Sequence, residues 1–372
     1  MNAYIVDAAR SPIGRKNGTL ATMRGDDLAA HVLNALVGRN ELDPTAIEDV
    51  QMGCVTQIGE QGWNVGRMAV LAAGWPVTVA ATTVDRQCGS SMQTNFNAAA
   101  AVASGQLDLV VSAGVEMMSR VPMGSNGGSL SDEVTSRHEI VMQGTSAELL
   151  AEEWGISREA QDAYSFESHR RAISATDEGR FETELVPIDG FSDDEAPRRD
   201  TSLEKLASLA PAFKSEGTVT AGNSSQIVDG AAAVLIASEQ ALATHALEPR
   251  ARFVAFGLAG VDPTRMLHGN PEAIQKALDR AGLTLDDVGV IEVNEAFAVV
   301  VLQTAADLGL QERMDVVNPN GGGISLGHPL GATGARITAT LLPELERRGA
   351  RYGVASMCVG FGMAIAAVVE RL

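Results

Sequence analysis

Thr82-Thr83-Val84-Asp85-Arg86-Gln87-Cys88-Gly89-Ser90-Ser91 carries the chain out of an apolar run, through a Gly-containing turn and into an Ala-rich segment. Val79–Val84 reads as a strand. Gly89–Ser104, nearly without charge and closed by Gly105, reads as a helix. A helix that is apolar all round belongs in the interior. Leu107–Val115 then reads as the next strand, and strand, turn, buried helix, strand is the signature of an α/β protein.

Toward the N-terminus the same alternation holds. Tyr4–Ala8 and Val50–Val55 read as strands, Asp26–Val37 as an amphipathic helix, and Asn64–Ala73 as a helix ending at Gly74. Beyond Met117 the character changes until Gly217: polar, Gly-rich and Pro-containing stretches surround a charged helix, Ser157–Glu178, with Ser157 as its N-cap. Asp189–Asp200, which holds Asp193, Asp194, Glu195, Arg198 and Arg199, reads as a solvated loop. This stretch has the look of an insertion laid over the main body as a cover for a ligand site. Regular patterning resumes at Gly230–Ala237 and continues to Leu372. The expected division is a first half of residues 1–117 and 218–246, an inserted loop domain of 118–217, and a second half of 247–372.

The halves echo each other. Leu42-Asp43-Pro44-Thr45-Ala46-Ile47-Glu48-Asp49-Val50 precedes one apolar strand, and Leu283-Thr284-Leu285-Asp286-Asp287-Val288 precedes another, Val290–Val293. From Val50 to Cys88 is 38 residues and from Val288 to His328 is 40. A duplication places Cys88 and His328 at comparable points of two facing halves.

Composition narrows the function. The 372 residues are 45% hydrophobic and 20% charged, which excludes a largely disordered chain and exceeds what one small core organises. With 47 acidic and 28 basic residues the net charge is −19, so nucleic acid is not the expected partner, and a small anionic ligand requires a local cluster of basic groups. The start has no cationic segment followed by an apolar core, so no signal peptide is expected. Apolar runs such as Val359–Val369 are broken by Gly and fall short of a membrane span. Cys54, Cys88 and Cys358 are too few and too scattered for a disulfide framework or a Cys-rich zinc site; a reducing, cytoplasmic compartment is expected.

Four segments carry candidate chemistry. Cys88 stands where a helix start offers unpaired N–H groups and positive potential, which favour a thiolate and an adjacent oxyanion. In Asn318-Pro319-Asn320-Gly321-Gly322-Gly323-Ile324-Ser325-Leu326-Gly327-His328-Pro329-Leu330-Gly331-Ala332-Thr333-Gly334, six Gly within fourteen residues force irregular backbone around His328. No Lys follows in the Walker arrangement, so a positioned base is the better reading than a phosphate loop. Val354-Ala355-Ser356-Met357-Cys358-Val359-Gly360-Phe361-Gly362 is a strand ending in a second thiol and a Gly turn, and Glu292-Val293-Asn294-Glu295-Ala296-Phe297-Ala298 puts an Asn and a Glu at a strand end entering a helix. Taken singly, each cysteine also fits a packed core position, and Asn294 fits an N-cap.

Together these segments resemble the thiolase family: Cys-Gly-Ser-Ser, Asn-Glu-Ala-Phe, Gly-His-Pro and the terminal Cys-x-Gly stand in the family's order and spacing over nearly the whole chain. Gly217-Thr218-Val219-Thr220-Ala221-Gly222-Asn223-Ser224-Ser225 before Asp229-Gly230-Ala231-Ala232 adds to the match. The resemblance implies two similar α/β halves in alternating helix and sheet layers, with a loop insertion in the first. It implies Cys88 as the acyl-accepting nucleophile, His328 as its base and Cys358 as the acid/base for the α-proton. Asn294 is implied to hold a water that forms one oxyanion hole with His328, while the backbone N–H groups of Cys88 and Gly360 form the other. Ser225, Ala221 and Phe297 match the lining of the coenzyme A pantetheine tunnel. The implied reaction is thiolytic cleavage of 3-ketoacyl-CoA to acetyl-CoA and a shortened acyl-CoA, or the reverse condensation, with CoA as co-substrate and no tightly bound cofactor or metal. A homodimer is implied, with a homotetramer as the alternative. Two rival readings are a ketosynthase-like condensing enzyme, which Cys358 argues against, and a lipid carrier without turnover, which the retained Cys pair and His328 argue against.

Three departures from the family pattern stand out. Where many members have His-Met-Gly this chain has Met142-Gln143-Gly144, which alters the acyl-pocket wall at Gln143. Ala210 precedes Pro211 where some members carry a basic residue, leaving Lys205, Lys214 and Arg137 as candidates to meet the CoA phosphates. Phe361 stands where Gly is frequent.

Overall fold

The computed structural model describes residues 2–372. Its strands are β1 (Ala3–Arg10), β2 (Gly14–Arg15), β3 (Asp49–Gly53), β4 (Ala80–Val84), β5 (Leu109–Met117), β6 (Val228–Ala237), β7 (Ala251–Gly260), β8 (Val288–Val293), β9 (Tyr352–Val359) and β10 (Met363–Arg371). The helices are α1 (Gly25–Arg39), α2 (Val65–Ala72), α3 (Ser90–Ala103), α4 (Asp132–Thr135), α5 (Gln143–Glu153), α6 (Arg158–Asp177), α7 (Leu203–Ala207), α8 (Glu239–His245), α9 (Asn270–Ala281), α10 (Ala298–Leu308) and α11 (Thr333–Arg348).

Strand order is β4-β3-β5-β6-β1-β7-β10-β9-β8, with β2 pairing β6. The order is a duplication. In the first half β3 runs parallel to β5, β5 antiparallel to β6, and β6 antiparallel to β1. In the second, β8 runs parallel to β9, β9 antiparallel to β10, and β10 antiparallel to β7. The halves join where β1 meets β7 through Ala3–Phe253, Tyr4–Arg252 and Ile5–Ala251, and β4 is the added strand of the first half. The echo between residues 42–50 and 283–288 is structural too: a short 3₁₀ turn precedes β3 at Pro44–Ala46 and β8 at Leu285–Asp287.

Period-2 alternation sorts the side chains into layers. On β6, Ala232, Val234 and Ile236 face a core shared with α3 and α11, while Ala231, Ala233 and Leu235 face a separate core with α1 and α2. On β10, Ile365, Ala367 and Val369 face the shared core, and Ala364, Ala366 and Val368 face α9 and α10. Helices α3 and α11 therefore lie between the two halves of the sheet, which explains the near absence of charge in residues 89–104. Their backbones come so close that a Cβ on Gly334 would fall 2.1 Å from Met92 N, and Asn95 Nδ2 donates to Thr338 Oγ1 at 2.9 Å.

No strand of the sheet arises between β5 and β6. Ser157 caps α6 as expected, its Oγ accepting from Ala160 N at 3.2 Å. The reading of Asp189–Asp200 as solvated needs correction. Asp193 is exposed, but Asp194 turns inward and accepts from both Arg10 Nη atoms, at 2.7 and 2.9 Å, and from Ile13 N at 2.8 Å. Arg10 ends β1 fully buried and also holds Glu184 at 2.5 Å. A buried guanidinium requires carboxylate partners, and composition does not reveal which acidic residue of a loop supplies one.

Candidate active site

The turn between β4 and α3 presents Cys88. Gln87 has φ 46°, and Ser90 Oγ ties the turn by donating to Gln87 O at 2.6 Å and accepting from Arg86 N at 3.0 Å. Cys88 is 5% exposed. Two donors from elsewhere reach its sulfur: the Gly360 N–H that follows β9, and Gln143 Nε2 at the start of α5, 3.9 Å away. Burial pushes the Cys88 thiol up to about 11, against the pull of these donors. Cys358, on β9, is held well above the ordinary thiol range by burial and by the neighbouring Cys88 charge.

His328 occupies the equivalent turn of the second half, ahead of α11. Its Nδ1 lies 2.6 Å from Thr333 Oγ1, and that hydroxyl donates to Pro329 O at 2.8 Å. With the Thr333 proton so engaged, its oxygen accepts from Nδ1–H, and the network assigns the lone pair to Nε2. Asn294 Nδ2 lies 3.3 Å from Nε2, so Asn294 faces the imidazole and is not a helix cap; Phe297 holds the N-cap of α10. Burial, with the Arg336 guanidinium second, pushes His328 down to about 3. Asn294 is moored to β9 by its N–H to Ser356 O at 2.9 Å, two residues before Cys358.

Buried carboxylates brace the loops around these groups. Glu116 on β5 accepts from Val55 N at 2.9 Å, Thr56 N at 3.0 Å and Gly331 N at 2.8 Å, tying a loop of the first half to the His328 loop of the second. Glu295 accepts from Tyr164 Oη, Ser168 Oγ and Ile324 N at 2.7, 2.7 and 3.0 Å, which pins the Gly-rich segment. Thr333, Glu116 and Tyr164 escaped the reading of the sequence. Thr333 left a signal, a hydroxyl one helical turn past Gly-His-Pro; Glu116 and Tyr164 left none, because their partners lie far off in sequence.

Ser225 and Ala221 line a cleft of about 780 Å³ together with Gln226. Phe297 is buried edge-on to Phe213, with ring centroids 6.0 Å apart. The backbone N–H of His328 donates to Gln226 O at 3.2 Å, joining this wall to the His328 loop. Of the cations considered for phosphates, Lys205, Lys214 and Arg137 each pair with a carboxylate: Asp200, Glu152 and Glu133. The same cleft is instead lined by Arg15, Lys16 and Arg198. Phe361 has φ 65° and is half exposed, and that left-handed backbone is the reason Gly is favoured there.

A thiol and an imidazole stand at matching turns of a duplicated α/β fold, with a second thiol beside the first, and comparison with known proteins places this fold among acyltransferases. The chain belongs to the thiolase family: residues 3–240 match the model of "Thiolase, N-terminal domain" and residues 247–371 that of "Thiolase, C-terminal domain". It is 46% identical to a 3-ketoacyl-CoA thiolase of Photobacterium profundum and 44% identical to a beta-ketoadipyl-CoA thiolase of Acinetobacter baylyi, in both cases covering 100% of each chain. The crystal structure of the Bacillus anthracis acetyl-CoA acetyltransferase matches with TM-score 0.92 at 40% identity, covering 100% of this chain and 99% of that one.

Proposed function

We propose that the protein cleaves 3-ketoacyl-CoA with CoA, giving acetyl-CoA and a shortened acyl-CoA, by way of an acyl group on Cys88. The carrying observations are a Cys88 sulfur met by Gln143 Nε2 and, at the matching turn of the second half, a His328 whose Nε2 lone pair is fixed by the Thr333 hydroxyl on Nδ1. His328 Nε2 takes the Cys88 proton as the sulfur attacks the ketone carbon. The oxyanion is met by N–H groups of Cys88 and Gly360, or by Asn294 with a water and His328. As the carbon–carbon bond breaks, the departing acetyl-CoA enolate takes the proton of Cys358, whose raised pKa keeps that proton in place until it is needed. The CoA thiol then restores the proton of Cys358 and takes the acyl group, and His328 returns the proton to Cys88. Run backwards, the same steps condense two acyl-CoA molecules.

Ser225, Ala221 and Phe297 are the residues assigned to the pantetheine arm, with Arg15, Lys16 and Arg198 meeting the phosphates at the far end of the cleft. CoA is thus a co-substrate and not a resident cofactor. The contact of Gln143 with the nucleophile supports residues 118–217 as a cover over the site. A homodimer in the cytoplasm completes the reading. Strand β4 lies at the sheet edge, flanked by Trp63 (87% exposed) and Val77 (76%), the kind of edge a second copy covers. No helix among the described residues is long and apolar enough to cross a membrane.

Loss of the enolate absorbance when acetoacetyl-CoA or longer 3-ketoacyl-CoA is mixed with CoA tests the reaction, and the rate profile over chain length gives the substrate. Absence of turnover with every chain length defeats the proposal in favour of a carrier. Light scattering at twice the subunit mass supports the dimer.

A further inference from the structure

We propose that Gln143 is a catalytic residue of this chain, its side-chain amide donating to the Cys88 sulfur and stabilising the thiolate form. The inference rests on the thiolase reading for the reaction, but the chemistry it concerns, thiol ionisation, is measured without substrate.

Three separate parts of the chain converge on that sulfur. Cys88 comes from the first half, Gly360 from the second, and Gln143 from the segment between β5 and β6. A Cβ built on Gly360 would lie 3.4 Å from Gln143 Nε2, so the amide packs close to the Gly360 backbone whose N–H also reaches the sulfur. The amide is also held in place. Gln143 is the first residue of α5, and Gly144, next to it, packs under the Phe213 ring so tightly that a Cβ there would fall 2.2 Å from the ring. Phe213 in turn rests on Phe297, so the start of α5 is seated against α10 and cannot swing freely over Cys88. A donor fixed before the reaction requires no reorganisation when charge appears.

The electrostatic setting gives the amide its importance. The titratable groups that act on the sulfur are Cys358 on β9 and Glu116 on β5. Burial disfavours both the thiolate and the imidazolium, and Glu116 and an ionised Cys358 add like charge. Among neighbouring side chains Gln143 is the one that pulls toward ionisation; the remaining help comes from backbone N–H groups. A hydrogen bond from a neutral donor to a charged acceptor is among the stronger ones.

The test is the rate of Cys88 alkylation by iodoacetamide as a function of pH, read by peptide mass so that Cys54 and Cys358 are scored separately. Gln143→Met keeps the volume and removes the donor. The Gln143→Met profile is expected to move to higher pH by about one unit, with alkylation near neutrality slowed about tenfold. Gln143→Glu, close in shape, is expected to move it further, because a carboxylate replaces the amide donor. Equal thermal melting of parent and variants establishes that the fold is retained. A parent-like profile in either folded variant overturns the proposal. Should the parent fail to turn over any 3-ketoacyl-CoA, the thiolase reading falls while the alkylation profiles still decide the role of Gln143.

Discussion

The turn into α3 and the turn into α11 occupy the same place in two copies of one fold, yet they do opposite work. The first presents a sulfur met by N–H groups from Gly360 and Gln143. The second presents an imidazole whose Nδ1–H is absorbed by Thr333, leaving a lone pair. Burial acts on both toward neutrality, raising Cys88 to about 11 and lowering His328 to about 3. The comparison teaches that burial favours the neutral thiol and the neutral imidazole alike. Buried like this, a permanent ion pair would be costly to maintain.

Removing the two thiols breaks the comparison most severely. Cys88→Ala is expected to take no acetyl label from acetyl-CoA and to lose cleavage entirely within detection. Cys358→Ala should still gain the acetyl mass on Cys88 but cleave 3-ketoacyl-CoA on the order of 10²–10⁴-fold more slowly. Near-parental cleavage by Cys358→Ala would return that residue to the role of a packed core cysteine.

On the imidazole side, Thr333→Val keeps the shape but leaves Nδ1–H without an acceptor, so the proton no longer has a fixed home. We expect kcat to fall about 10-fold or more with KM little changed, and with melting temperature near that of the parent. A change confined to KM would show that Thr333 shapes the pocket and not the tautomer.

Smaller effects sharpen the outer parts of the site. Arg198→Gln should raise KM for CoA a few-fold, more at low than at high salt, while leaving kcat and the rate with acyl-pantetheine substrates as they were. An equal loss with the pantetheine substrates counts against a phosphate contact.

The remaining prediction concerns stability against pH. His328 has a folded pKa below its ordinary value, so its contribution is present above about 6.5 and is lost as pH falls toward about 3. Cys88 has a raised one, so its contribution is present below its ordinary thiol pKa and is lost as pH rises through about 11. Melting temperature should therefore decline on the acid side less steeply in His328→Asn than in the parent. Parallel acid limbs in the two proteins would show that His328 titrates without this shift.

How much was legible differs by kind of residue. Cys88, His328, Asn294 and Cys358 announce themselves because each sits in a local pattern of Gly, Pro and small residues that the chemistry requires. Asn294 was legible as a candidate but not as to role, since N-cap and active-site amide use the same residue at the same strand end. The duplication was readable from spacing, because strand, turn and helix lengths repeat. Asp194 was misread, and Glu116, Glu295 and the Arg198 side of the cleft were not assigned, since their partners lie tens to hundreds of residues away.

By itself, then, the sequence determined the alternation of strands and helices, the burial of most of residues 89–104, and which residues are candidates for the chemistry, all of which follow from periodicity and from residue chemistry within a short window. The tertiary structure decided which nitrogen of His328 is free, which donors reach the Cys88 sulfur, and which cations line the cleft. Those depend on contacts between distant segments: the tautomer on a hydroxyl brought round by the first turn of α11, the sulfur's donors on three parts of the chain meeting at one point, and the free cations on which others had already been taken by carboxylates. No local pattern encodes such choices, because each is settled by competition among partners that only the folded chain brings within reach.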